Sequence, residues 1–308
     1  VLSGAAVADL LDGIAAIVDL PATAEITLEA NPGAVDAARF QAYRAAGQSA
    51  MADSVHGNPE NPLSPAAQHE CESCHGPGSL HVEADGESSA GMLSFHPVAD
   101  ESTEQQNAAC LSCHREKRLM HWQASAHDNE DTACSSCHTV HLPDRVLERS
   151  TQAEVCYACH RAIRAQTYQA STHPIRAGKV VCSDCHNAHG GVGPAELREL
   201  SINDNCYACH AEKRGPFLWE HYPATEDCSL CHRVHGSIHP YLLTRQGPQL
   251  CQQCHEDIRA QGRQHVRRFF DFDDPDTARD RFIVGLNCMN CHSQVHGSNH
   301  PSGAYLLR

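Results

Sequence analysis

Large apolar side chains are scarce: Leu, Ile, Val and Phe together fill under a fifth of the 308 positions. No stretch approaches the roughly 18 uninterrupted apolar residues that a membrane-spanning helix needs. Basic residues are also in deficit, 23 against 38 acidic, for a formal net charge of −15. An acidic chain of this kind is a poor partner for a phosphate backbone, so nucleic-acid binding is excluded. Low apolar content with high net charge ordinarily marks a chain that cannot build a core and stays disordered. What is present in excess is 18 Cys and 24 His. Crosslinks or bound cofactors must therefore replace the missing core.

The cysteines select between those two. Every one falls in a Cys-x-x-Cys-His unit. The pairs are Cys71 and Cys74, Cys110 and Cys113, Cys134 and Cys137, Cys156 and Cys159, and Cys182 and Cys185. They continue with Cys206 and Cys209, Cys228 and Cys231, Cys251 and Cys254, and Cys288 and Cys291. The histidines that complete them are His75, His114, His138, His160, His186, His210, His232, His255 and His292. Nine units use all 18 thiols. This spacing is the attachment signature of c-type haem. Two thiols two residues apart reach the two vinyl groups on one porphyrin edge, and the next residue carries an imidazole beneath the ring. Disulfides would not need a His after every second Cys, and a structural zinc site would not need it at that fixed position. The predicted cofactors are nine covalently attached haems, one for about every 34 residues. Rings so closely spaced serve as the core, lie near one another and suit electron hopping.

The motifs repeat in pairs. Cys110, Cys156, Cys206 and Cys251 each open a unit, at intervals of 46, 50 and 45 residues. Each contains a first motif, a lone His, a second motif and a trailing His. The lone histidines are His127, His173, His221 and His265, and the trailing ones His141, His189, His235 and His296. An earlier unit shows only its second half, with His56, Cys71–His75 and His81. Counting back from His56 by the spacing of the next two complete units puts a vestigial motif at Arg39–Tyr43, without thiols or ligand. Segments after first motifs, such as Arg115–His127 and Arg161–His173, are short helical candidates. Residues 1–30 hold an Ala-rich apolar stretch interrupted by Asp9, Asp12 and Asp19, with no basic leader. They are read as a helix of a mature, exported chain rather than an intact secretory signal.

Ten histidines at repeat positions are candidate second axial ligands: His56, His81, His127, His141, His173, His189, His221, His235, His265 and His296. With nine irons, one is surplus. If the first site is vestigial, His56 and His81 compete for the iron of Cys71–His75. The remaining His69, His96, His121, His239 and His300 show no consistent placement. The four methionines do not recur in the repeat, so bis-His ligation is expected throughout. It leaves no open coordination site, which argues for electron transfer over catalysis. Asp271, Asp273, Asp274, Asp276 and Asp280 lie in the longest insertion and lack the Gly and Glu of a calcium loop. They are read as a solvated face.

Three features resemble the decahaem electron-conduit cytochromes of MtrA, PioA and DmsE type. They are Cys71-Glu-Ser-Cys-His-Gly-Pro-Gly-Ser-Leu-His81, the lone-His spacing, and the ending His296-Gly-Ser-Asn-His-Pro-Ser-Gly303. The resemblance covers about residues 40–308. It implies a cytochrome seated in an outer-membrane β-barrel porin, passing electrons between periplasmic redox proteins and an extracellular partner. The family carries ten bis-His haems and this sequence has nine motifs, the departure falling at the first.

The expectation is a mostly irregular, helix-poor multihaem c-type cytochrome. It would form an elongated rod around a chain of haems, with short α-helices and no sizeable β-sheet. Residues 1–55 would form a non-haem segment and 56–308 a nonahaem electron-transfer domain. The expected place is the periplasmic side of the outer membrane or beyond it, with a porin and other redox proteins as partners. The other functional readings are a subunit of an extracellular cytochrome filament, self-assembled end to end, and a soluble periplasmic shuttle.

Overall fold

The computed structural model describes residues 54–84, 91–95, 102–116, 119–141, 143–255 and 287–307. The vestigial motif at Arg39–Tyr43, His96, His265 and the acidic stretch Asp271–Asp280 lie outside the described residues. The chain forms two compact units, Val1–Cys156 and Tyr157–Arg308, which divide within the fourth motif.

Regular structure is sparse, as the composition implies. The longest helix among the described residues is Thr103–Leu111, and no helix there is long and apolar enough to cross a membrane. The sheet content is one antiparallel pair, β1 (Trp219–Glu220) with β2 (Gly297–Ser298), plus isolated bridges. Two helices end in first motifs and start from serine caps. Ser102 forms a reciprocal capping box with Gln105 ahead of Cys110. Ser201 caps the Asp204 N–H ahead of Cys206. The helix predicted after the fourth motif is present as Arg161–Thr167. No continuous helix covers Arg115–His127. Residues 119–125 form turns, Ala124 takes a left-handed φ of 64°, and a helix begins only at Ala126, where Ser125 caps the Asp128 N–H. A capping residue ends the preceding turn as surely as it starts the next helix.

The apolar core is small. Among the described residues, the buried hydrophobic ones are Trp122 and Ala153 in the first unit and Tyr157 and Val181 in the second. Burying a large apolar side chain contributes about 1.5–3 kcal/mol. Ordering one residue's backbone costs about 1–2 kcal/mol. Among the described residues, Trp122 in the first unit and Tyr157 and Val181 in the second fall far short of ordering those segments, so something other than apolar side chains must supply their interior.

Each motif is one turn of helix. The N–H of the motif histidine donates to the carbonyl of the first cysteine, four residues back, at 2.8–3.0 Å in eight motifs. That closes a helical turn and sets both cysteines on one face, because residues three apart are neighbours there. The second motifs at Cys134–Ser136, Cys228–Leu230 and Cys288–Asn290 use the tighter 3₁₀ turn.

Candidate cofactor sites

Within each unit, motifs that are consecutive in sequence are neighbours in space. Inside a repeat, first cysteines meet: the Cys110 thiol hydrogen-bonds Cys134, Cys206 bonds Cys228, and Cys251 bonds Cys288. Between repeats, the second motif lies against the next first motif. Cys74 feels the charges of Cys110 and Cys113, Cys185 that of Cys209, and Cys231 that of Cys254. The contacts therefore run 71, 110, 134 in the first unit and 182, 206, 228, 251, 288 in the second. Hydrogen bonding to Cys206 lowers the Cys228 thiol to about 7. Burial, with the nearby charge of Cys288, pushes Cys251 up to about 11. None of the 18 cysteines is joined in a disulfide.

Motif histidines face repeat-placed histidines in pairs. His56 faces His114 and His75 faces His141, both pairs at 5.9 Å between ring centres. In the second unit the pairs are His173 with His210 at 6.4 Å and His186 with His235 at 6.0 Å. His221 meets His255 at 6.3 Å and His232 meets His296 at 6.2 Å. Two imidazoles bound at about 2 Å to opposite sides of one metal put their ring centres about 6 Å apart. A protein-only metal site would instead gather three or four donors, and among the described residues no such group occurs.

These pairs correct the expectation that His56 and His81 compete at Cys71–His75. His56 lies against the second motif, and the ring facing His75 is His141. Offsets measured from a single motif cannot reveal that these six motif histidines face rings from a neighbouring repeat. Four of the facing rings hold pKa values below the ordinary imidazole range. Burial is the main cause at His56, His141, His235 and His296, and the opposing motif imidazole contributes in each. They stay neutral near pH 7, as a metal-binding imidazole must.

The other ring nitrogen is committed elsewhere. In second motifs, the Nδ1–H of His75 donates to Leu93 O at 2.8 Å and that of His186 to Ala195 O at 2.9 Å. His232 donates to Tyr241 O at 2.9 Å and His292 to Tyr305 O at 2.7 Å. Among the facing rings, His173 donates to Val234 O at 3.0 Å and His221 to Val295 O at 2.8 Å. Such bonds fix the tautomer and leave Nε2 as the lone-pair donor.

A recurring strand contact aims the facing rings. Ser171, just before His173, pairs with Ser237, just after His235. Trp219 and Glu220, just before His221, pair with Ser298 and Gly297, just after His296. Each contact sets side by side two histidines that face different motifs. The backbone there is close enough to require glycine. Gly236 has φ 153° and a Cβ would strike the Gln166 carbonyl; Gly297 has φ 137° and a Cβ would strike the Phe217 ring.

Three sets of residues escaped the sequence reading. Asn107 and Asn203, each three residues before a first motif, are buried and span to the second. Their Oδ1 accepts from the N–H of Cys134 and Cys228 at 2.8 Å, and their Nδ2 donates to Thr132 O and Thr225 O. Pro194-Ala195-Glu196-Leu197 and Pro240-Tyr241-Leu242-Leu243 present the acceptor carbonyls through two consecutive left-handed residues, with φ 52–59°. His239 and His300 also occupy matching places, each taking a serine hydroxyl two residues back, Ser237 or Ser298, on its backbone N–H. Repetition at fixed offsets from the motif was the available signal in all three cases.

The donor set fits haem c: thiol pairs on a helical turn, imidazoles opposed in twos with Nε2 left for iron, and an interior lacking its own core. The class is thus a multihaem c-type cytochrome. Residues 71–149 match the cytochrome c-type protein NrfB-like family, and 173–215 and 221–260 match the doubled CXXCH motif family. The Multiheme cytochrome MtrA of Shewanella baltica (strain OS185) is 46% identical over 256 residues, covering 82% of this chain and 75% of that protein. The chain belongs to the MtrA family of multihaem cytochromes and is an electron-transfer protein. The Heme chaperone HemW of Escherichia coli (strain K12) is 38% identical over 109 residues, 34% of this chain and 28% of that protein. So short a match carries no argument about function.

Proposed function

We propose that this chain holds nine haems in series and conducts electrons across the outer membrane, seated in a β-barrel partner on the periplasmic side. Bound at the motifs, the cofactor supplies a one-electron iron couple. The side chains supply everything else. Paired cysteines anchor each group covalently. Motif histidines and the facing rings among His56, His81, His127, His141, His173, His189, His221, His235, His265 and His296 would hold the iron between them. The Nδ1–H bonds of His75, His173, His186, His221, His232 and His292 orient those imidazoles. An iron held by two imidazoles in this way would exchange electrons without binding what it reduces. Residues 1–55 are assigned no haem, and the vestigial motif falls among them.

The observation that carries this reading is the agreement between sequence order and neighbour order of the motifs within each unit. A chain so arranged hands an electron from one end of a unit to the other without a side branch. The test is purification from outer membranes, followed by incorporation of the complex into liposomes that enclose a redox dye. Intact mass equal to polypeptide plus nine haems, a co-purifying β-barrel and dye reduction from outside support the proposal. Another haem count refutes the series of nine. A fully loaded chain without a barrel that polymerises into fibres, or that shuttles freely, refutes the conduit.

A further inference from the structure

The five second-motif histidines with a resolved Nδ1 partner do not share one kind of acceptor. Four meet backbone carbonyls, of Leu93, Ala195, Tyr241 and Tyr305. The fifth, His138, donates to the Asp144 carboxylate at 2.6 Å. That is the short range of a charge-assisted hydrogen bond. The carboxylate is held for the purpose. Its other oxygen, Oδ1, accepts from the backbone N–H of Thr139 at 3.4 Å and Val146 at 3.3 Å. Its side chain is only 17% exposed. By contrast, Glu212 stands 3.8 Å from the His210 Nδ1 with both side chains mostly exposed, too far for a hydrogen bond.

The repeat explains how the exchange arose. At two of the three second-motif sites of the second unit the acceptor belongs to the residue after a proline, Pro194-Ala195 and Pro240-Tyr241, with seven residues between motif histidine and proline. In the first unit the corresponding pair is Pro143-Asp144, and only four residues intervene. The shorter loop brings a side chain to the imidazole where a carbonyl sits in the longer ones.

We propose that Asp144 is a positioning residue that lowers the reduction potential of the haem at Cys134, Cys137 and His138. A carboxylate polarises the Nδ1–H bond more strongly than a carbonyl and makes Nε2 the better electron donor. Greater donation and a nearby negative charge both favour ferric over ferrous iron. The series then contains a local step at its third motif that the carbonyl-bonded sites lack.

This rests on the reading of Cys134–His138 as a haem site, and the experiment separates the two. Peptide mapping of the unaltered holoprotein first establishes whether Cys134 and Cys137 carry haem; an empty site sinks the underlying reading. Spectroelectrochemical titration of Asp144→Asn, in which the acceptor remains but the charge is gone, should then move one of the nine components upward. The expected change is at least tenfold in its reduction equilibrium, which is about 59 mV for one electron. Asp144→Glu should restore much of the original value. Low-temperature near-infrared and EPR spectra of the unaltered protein should contain one strong-donor, imidazolate-like bis-His signal that Asp144→Asn abolishes. A loaded Asp144→Asn protein with all components unmoved overturns the proposal. So does an unaltered protein without that signal, which decides the matter even if the variant fails to load.

Discussion

In the second unit, His186 and His232 rest on carbonyls presented by the same left-handed pair nine residues on. Among its described residues, the pairs His186 with His235, His221 with His255 and His232 with His296 are within 20° of parallel. In the first unit, the carbonyl for His75 comes from Leu93, 18 residues away, and His138 uses a carboxylate. Among its described residues, His56 and His114 lie at 81° and His75 and His141 at 29°. The thiol contacts and the buried Asn bridge are nonetheless shared by both units. The lesson is that placing the motifs in order is conserved between the units, whereas the second shell around each imidazole varies. The framework holds the cofactors in series; the loops set each one apart.

The largest effect should come from removing the shared interior. Produced without haem attachment, both units should lose far-UV ellipticity and cooperative melting, since neither buries enough apolar surface alone. An apoprotein that retains a cooperative transition would mean that one unit has a core of its own.

A distinctive device of the second unit is its strand contact. Gly236→Ala and Gly297→Ala force a side chain into a left-handed position crowded by the Gln166 backbone or the Phe217 ring, at a cost of about 2–5 kcal/mol each. Thermal melting should fall accordingly, and a high-spin fraction should appear as the neighbouring rings lose their aim. Unchanged spectra would show that the strand contact does not orient them.

Ligand exchange between neighbouring repeats is next. His56→Ala and His141→Ala should each convert one low-spin haem to high spin, at the Cys110 and Cys71 sites respectively, as read by magnetic circular dichroism with site-directed loss of single haems. If the His56 change affects the Cys71 site instead, the facing-ring assignment is wrong.

Asn107→Ala and Asn203→Ala should cost about 1–3 kcal/mol each, because a buried N–H and a carbonyl lose their partners. Similar losses are expected in both units, and a large asymmetry would contradict the shared framework. The smallest effects belong to the caps. Ser102→Ala and Ser201→Ala should lower stability by about 0.5–2 kcal/mol, measured by chemical denaturation of the holoprotein.

The number and chain positions of the attachment motifs were legible in the sequence because covalent attachment depends on local spacing. Two thiols and an imidazole must share one helical turn, and five consecutive residues specify it. The sparse helices and negligible sheet were legible too, from the lack of apolar residues to pack. Which imidazole faces which motif was not. His75 and His141 come together across 66 positions, and several histidines at repeat offsets are equally plausible partners until the chain is folded. The acceptors behind the imidazoles were equally hidden. A backbone carbonyl carries no residue identity, so Ala195 and Tyr241 serve alike, and Asp144 looks in sequence like one more surface acid. Only the three-dimensional path of the loop decides whether its oxygen reaches a ring nitrogen.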